Sequence, residues 1–137
     1  MTADQVRKYD NRTTPWLKKR AQTIFNKWIR ERDRQETFYT CISCGQTKRI
    51  TGNQYQAGHY FSAGEYNGLR FHEHNTNGEC KHCNYFRGDH LIGYRENLIK
   101  KIGKKAFETL VWKAARSKRK VKKWHRLELI EIIEKYK

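Results

Sequence analysis

Cys41-Ile42-Ser43-Cys44-Gly45 and, further along, Cys80-Lys81-His82-Cys83-Asn84 are the two stretches whose spacing decides how this 137-residue chain folds. Each CxxC pair can close a tight turn that aims two thiolates at one tetrahedral ion, and Gly45 supplies permissive backbone just after the first pair. Four thiolates leave no open coordination position, so the Zn²⁺ implied by Cys41, Cys44, Cys80 and Cys83 is structural. It would close a loop of roughly forty residues that is otherwise too polar and glycine-rich to build much core. A redox CxxC is disfavoured because the pair occurs twice with no βαβ pattern around it, and inert buried cysteines are disfavoured by the duplicated spacing. Disulfides need an oxidising compartment. The first residues, MTADQVRKYDNRTT, carry no apolar secretory core, and no segment reaches the roughly 18 apolar residues of a membrane span, so a cytoplasmic protein without membrane contact is expected.

Working outward, residues 1–12 are polar and aperiodic and read as a flexible or loosely docked N-terminal arm, leaving 13–137 as a single domain. Thr14 followed by Pro15 reads as a helix start, and Leu17, Ala21, Ile24, Phe25, Trp28 and Ile29 recur at helical spacing to about Asp33, giving an N-terminal helix within 13–37. From 38 to 103 the chain reads as the cysteine-framed core. Helical periodicity is lost from Phe38 to Gly78, and short β-prone stretches lie at Tyr55–Phe61 and Leu69–Phe71. It resumes after Cys83 with Leu91, Tyr94, Leu98 and Ile102, and Gly103 stands as a helix stop. Residues 104–137 read as C-terminal helices. Phe107, Leu110, Val111 and Ala114 form one stripe, and Leu127, Ile130, Ile133 and Tyr136 form another after a His125 cap with Glu128. The fold class is α+β, mainly helical, with a small metal-stapled core flanked by amphipathic helices.

Thirty basic residues against 14 acidic ones leave a formal charge of +16, spread along the chain rather than held in a tail. A polyanion is the expected partner, and nucleic acid is favoured over an acidic membrane or protein surface. Lys18, Lys19, Arg20, Lys27 and Arg30 fall on the polar side of the first helix, where they serve either as a solvated face or as phosphate contacts. The basic run from Arg116 to Lys123, including Arg119 and Lys120, reads as a linker or a nucleic-acid-binding segment.

The order of residues inside the cysteine frame adds chemistry: His59 in AGHY, then Asn75, then Asn84 directly after the fourth cysteine. Phosphodiester hydrolysis needs a base of near-neutral pKa opposite a divalent cation, and His59 with Asn84 offers both halves. Taken singly, a hairpin histidine is more often a hydrogen-bonding residue and an asparagine after a knuckle more often a helix cap. His72, His74, His82, His90, Glu73 and Asp89 stand in reserve.

The strings CISCG, QAGHY, LRF, Asn75, CKHCN and GYRENLIKKIG together resemble the NinG (also called Rap) recombination endonuclease family of lambdoid phages, over about Trp16 to Ile102 and more weakly beyond. A more distant likeness joins it to the phage junction resolvase endonuclease VII and the HNH, or ββα-metal, nucleases. The resemblance implies a homodimeric endonuclease acting on branched DNA such as Holliday junctions and D-loops, with catalytic Mg²⁺ or Mn²⁺. Carried over residue by residue, it makes the four cysteines zinc ligands, His59 the general base, Asn84 a catalytic-cation ligand with His59 a further candidate, and Asn75 the residue that orders the loop. It places Arg70 and Arg95 at phosphates or in local salt bridges. One departure stands out: Gly58 precedes His59, and Gln56 stands where the family pattern has Asp, so the cation lacks an acidic ligand on this strand. The rival readings are a less selective DNA nuclease and a catalytically silent zinc-stapled DNA-binding module.

Overall fold

The computed structural model describes all 137 residues. Five helices and two separate two-stranded antiparallel sheets give a mixed α and β architecture. No helix is long and apolar enough to cross a membrane. The first helix, α1 (Ala3–Arg7), occupies the region expected to be a flexible arm. Thr2 caps it reciprocally with Gln5, and the following turn docks on the C-terminal helix through Tyr9 Oη donating to Glu134 at 2.9 Å and Arg126 donating to the carbonyls of Tyr9 and Arg12. Of the two readings of residues 1–12, the docked one holds, through Lys8 and Tyr9 on Glu134 and through Val6 and the Tyr9 ring against the apolar core.

Helix α2 (Thr14–Asp33) starts one residue earlier than Thr14-Pro15 suggested, because the cap is Thr13, whose Oγ1 accepts from the Trp16 amide at 3.2 Å. Its buried stripe is Leu17, Ala21, Ile24, Phe25 and Ile29, and the last helix, α5 (Arg126–Tyr136), covers it with Leu129, Ile130, Ile133 and Tyr136. Leu127, read as part of that stripe, is exposed, and so is Val111 of α4 (Lys104–Arg119). Both lie at the edge of their helical faces, where periodicity alone does not fix the outcome. Glu128 accepts from the His125 amide at 3.0 Å, starting α5 as its spacing suggested. Helix α4 carries the basic run through Arg119 as regular helix rather than as linker.

Between the helical layers lie the hairpin β1 (Phe38–Thr40)/β2 (Thr47–Arg49) and the pair β3 (Tyr55–His59)/β4 (Thr76–Cys80). In the second pair His59 stands opposite Thr76, Gly58 opposite Asn77 and Gln56 opposite Glu79. Strand β4 has no β-prone sequence; every residue of Thr-Asn-Gly-Glu-Cys is buried, and tertiary pairing makes it a strand. Leu69–Phe71, expected to be β-prone, instead follows a 3₁₀ turn at Asn67–Leu69 and sends Leu69 and Phe71 into two different cores.

Helix α3 (His90–Ile102) ends where expected, at Gly103 with φ 89°. It packs so closely on the first cysteine turn that a Cβ on Gly93 would overlap the carbonyl of Ser43. Tyr94, fully buried, donates to the Gly58 carbonyl at 2.6 Å and accepts from Asn77 Nδ2 at 3.1 Å, tying α3 to both strands. Asp33, at the end of α2, accepts from the Gly78 amide (2.9 Å) and from Lys101 Nζ of α3 (2.8 Å).

Two measurements check this packing. Tyr94→Phe leaves the Gly58 carbonyl and the Asn77 amide short of a partner, and urea denaturation should show a loss of about 1–3 kcal/mol. His72 caps the 3₁₀ turn at Glu73–Asn75 and is held neutral, its pKa pushed down to about 4 by burial, by Lys113 and by His74. The unfolded chain takes up this proton near pH 6.5 and the folded chain only near 4, so stability should fall as pH drops across that window. A His72→Gln variant should show a flatter thermal-melting profile over the same range.

Candidate metal centre and cleft

The sulfur atoms of Cys41, Cys44, Cys80 and Cys83 lie within 4.8 Å of one another. A tetrahedral ion with bonds of about 2.3 Å needs sulfurs about 3.8 Å apart, so the cluster could hold zinc with little adjustment. The backbone is already arranged for it: the Cys44 and Cys80 amides point at Cys41 Sγ (3.5 and 3.3 Å), and Gly45 turns at φ 73°. Burial pushes the Cys41 thiol up to about 11 and raises that of Cys83 as well. Burial acts the same way on Cys80, but hydrogen bonds around Cys83 and the charge of Lys48 outweigh it and bring that thiol down. Thiols this dry become thiolates only against a cation, which is the chemistry of a Cys₄ site.

His59 ends β3 and is largely enclosed. Its Nε2 lies 3.0 Å from the Arg70 carbonyl, which can only accept, so Nε2 carries the proton and Nδ1 keeps the lone pair. Burial holds this imidazole below its usual pKa, and the Arg70 carbonyl offsets that only in part. At neutral pH His59 is therefore an unprotonated base with one free nitrogen. That nitrogen can take a proton or hold a cation, but not both at once.

Asn75 is completely buried and accepts from the Phe61 amide at 2.9 Å while donating to the carbonyls of Phe61 (3.0 Å) and Leu69 (3.3 Å). It thereby closes the 61–74 loop against the end of β3. Asn84 sits in the irregular helical turn His82–Phe86 and donates to Gln56 Oε1 at 3.2 Å. His59, Asn84 and His90 line one open cleft of about 640 Å³, whose wall also carries Glu65, Tyr85 and Leu91. The remaining reserve residues lie elsewhere: Glu73 accepts from Tyr136 Oη (2.7 Å), Asp89 pairs with Arg87 (3.0 Å), and His74 and His82 are exposed.

With this geometry in view, the family model described as "Bacteriophage Lambda NinG protein" matches residues 2–137. The chain belongs to the NinG family. It is 40% identical over 95 residues to Protein ninG of Escherichia phage lambda, covering 69% of this chain and 43% of that protein. It is 42% identical over 88 residues to Protein ninG of Salmonella phage P22, covering 64% and 40%. The matched region thus spans less than half the length of these curated relatives. No solved structure matches it.

In this NinG-family chain the basic residues singled out from sequence fall at several places. Arg70 uses its guanidinium internally, donating to Asn67 Oδ1 (2.8 Å) and Gln22 Oε1 (3.1 Å), so what it offers the cleft is its backbone carbonyl on His59. Lys18 is half-buried, with its pKa lowered by desolvation and by Arg70. Lys19 lines a groove of about 700 Å³ with Arg12, Arg20 and Lys137, away from His59. Lys120 lines a smaller one with Lys113, Arg116 and Lys122, Arg119 is exposed, and Arg95 lies 5.3 Å over the Phe107 ring.

Sequence reading missed Glu79. It is 0% exposed, and its Oε2 receives hydrogen bonds from Ser43 Oγ and from His90 Nδ1 (2.7 Å). Its carboxylate fills the space beside Gly58, where any Cβ would overlap Oε1. Gly58 is thus bare because the β4 carboxylate fills the space a side chain there would need.

Removing zinc should dismantle this region. Binding free energies of about 10–16 kcal/mol for such sites in peptides match or exceed the whole stability of a domain, about 5–15 kcal/mol. A strong chelator, or Cys83→Ser, should abolish zinc content and the near-ultraviolet dichroism of the stacked Tyr39–Tyr55 pair, whose rings lie 4.2 Å apart.

Proposed function

We propose that this chain is a metal-dependent DNA endonuclease, stapled by one structural zinc and acting on branched DNA. The observation that carries the reading is the cleft that gathers His59, neutral and with a free Nδ1, together with Asn84 and His90. The pair β3/β4 followed by α3 is the element order of a ββα-metal nuclease, the superfamily that the sequence resemblance implies. A divalent cation in the cleft would neutralise charge on the scissile phosphate and on the departing oxygen. His59 Nδ1 takes the proton from the attacking water, and the Arg70 carbonyl holds the ring in the tautomer that can do so. Exposed Tyr85 at the cleft wall offers a ring face to an unpaired base, and the +16 charge holds phosphates without reading sequence. Symmetric cutting of a four-way junction calls for two active sites, hence a homodimer.

A second reading, a DNA-binding module that does not cut, is favoured by one observation: position 56 carries a neutral glutamine whose Oε1 already accepts from Asn84 Nδ2 (3.2 Å), so it offers a cation little. The two separate on one gel of synthetic junction and linear arms with Mg²⁺, Mn²⁺ or EDTA. Wild type should cut the junction with either cation. His59→Ala should bind as well but cut about 10²–10⁴-fold more slowly. The acid limb of the cleavage profile should lie below about pH 6.5, because burial lowers the base's pKa. Binding without any cut in either cation would leave the silent module.

A further inference from the structure

We infer that His90 is the cleft's nitrogen ligand for a divalent cation, offering Nε2, and that Glu79 is the residue that positions it. This deepens the nuclease reading and rests on it only for what the cation does, not for where it binds.

His90 opens α3 and lines the same cleft as Asn84 and His59. Glu79 Oε2 accepts from His90 Nδ1 at 2.7 Å, so that nitrogen carries the proton, and the neutral imidazole then keeps its lone pair on Nε2, which has no hydrogen-bond partner in the protein. A carboxylate fixing one imidazole nitrogen so that the other can ligate is the usual arrangement behind metal-bound histidines. Glu79 itself is hard to explain as packing. It is fully buried and its Oε1 has no hydrogen-bond partner. An unpartnered buried oxygen is costly to keep for packing alone, and the bond from its other oxygen to His90 is what ties this side chain to the cleft. Ser43, the second donor to Glu79, lies inside the first CxxC turn, so the carboxylate is clamped from the zinc knuckle on one side and opens toward the cleft through His90 on the other.

His59 does not compete for this role, since its single lone pair is needed for the proton. An asparagine oxygen and one imidazole, completed by water, suit Mn²⁺ better than Mg²⁺, which favours all-oxygen shells.

The test uses the full zinc-loaded chain and Mn²⁺, with zinc content and circular dichroism recorded for every variant. Free Mn²⁺ is measured by electron paramagnetic resonance to give affinity, and spin-echo modulation reports a coordinated histidine nitrogen. Wild type should show nitrogen modulation that persists in His59→Ala and disappears in His90→Ala. Mn²⁺ affinity should fall at least about tenfold in His90→Ala and about 10–100-fold in Glu79→Gln. If Glu79→Gln loses its zinc, His90→Ala and His90→Asn carry the test alone. Modulation that is absent in wild type, survives in His90→Ala, or is lost in His59→Ala overturns the assignment. A wild type that binds Mn²⁺ in this way yet cuts no DNA would sink the nuclease reading and leave the cation site standing. Cleavage together with a histidine signal unaffected by His90→Ala would do the reverse.

Discussion

Four sulfur atoms gathered within 4.8 Å are the constraint on which the central region depends. The hairpin β1/β2 has three residues per strand and the pair β3/β4 five, lengths at which an isolated two-stranded sheet is marginal in water. The nearby core is small, built from Tyr39, Tyr55 and the cysteines themselves. An ion among the sulfurs would supply what that core cannot. The larger apolar cluster between α2 and α5 stands apart from it. The chain thus combines a helical scaffold stabilised by burial with a polar centre whose four cysteines could hold an ion.

From the cysteine turns, order passes to the cleft along polar contacts laid over the apolar cluster of Ile42, Leu69 and Tyr94. Ile42 donates to the Gly78 carbonyl (2.9 Å), Asn97 of α3 donates to the Ile42 carbonyl (2.8 Å), and Tyr94 reaches Gly58. Asn75 then sets the loop that delivers the Arg70 carbonyl to His59. Each link leaves little freedom to the next, so the groups around His59 are held in place by the fold itself.

The features legible in the sequence are those that depend on spacing, namely the paired cysteines, the apolar stripe of α2 and the stop at Gly103, while Asn75 in the loop is legible through the family resemblance. Those it hid depend on tertiary partners. Strand β4 reads as a polar loop because its hydrogen bonds, not its side chains, make it a strand. The docked α1 looks disordered because its partners, Glu134 and Arg126, lie at the other end of the chain. Arg70 stands out through the LRF likeness as a phosphate or salt-bridge cation, while its place in the cleft comes from its carbonyl. Nothing in local sequence links Glu79 to His90, eleven residues on.

The contact between Gly58 and Glu79 also bears on how such a centre can change over generations. Positions 58 and 79 share one volume, so a side chain can stand at one of them but not at both. A side chain gained at 58 is blocked while Glu79 remains, and loss of Glu79 first leaves His90 unsupported. Change at these two positions therefore needs paired rather than single steps, and a comparison of them one at a time would mistake an exchange for a loss.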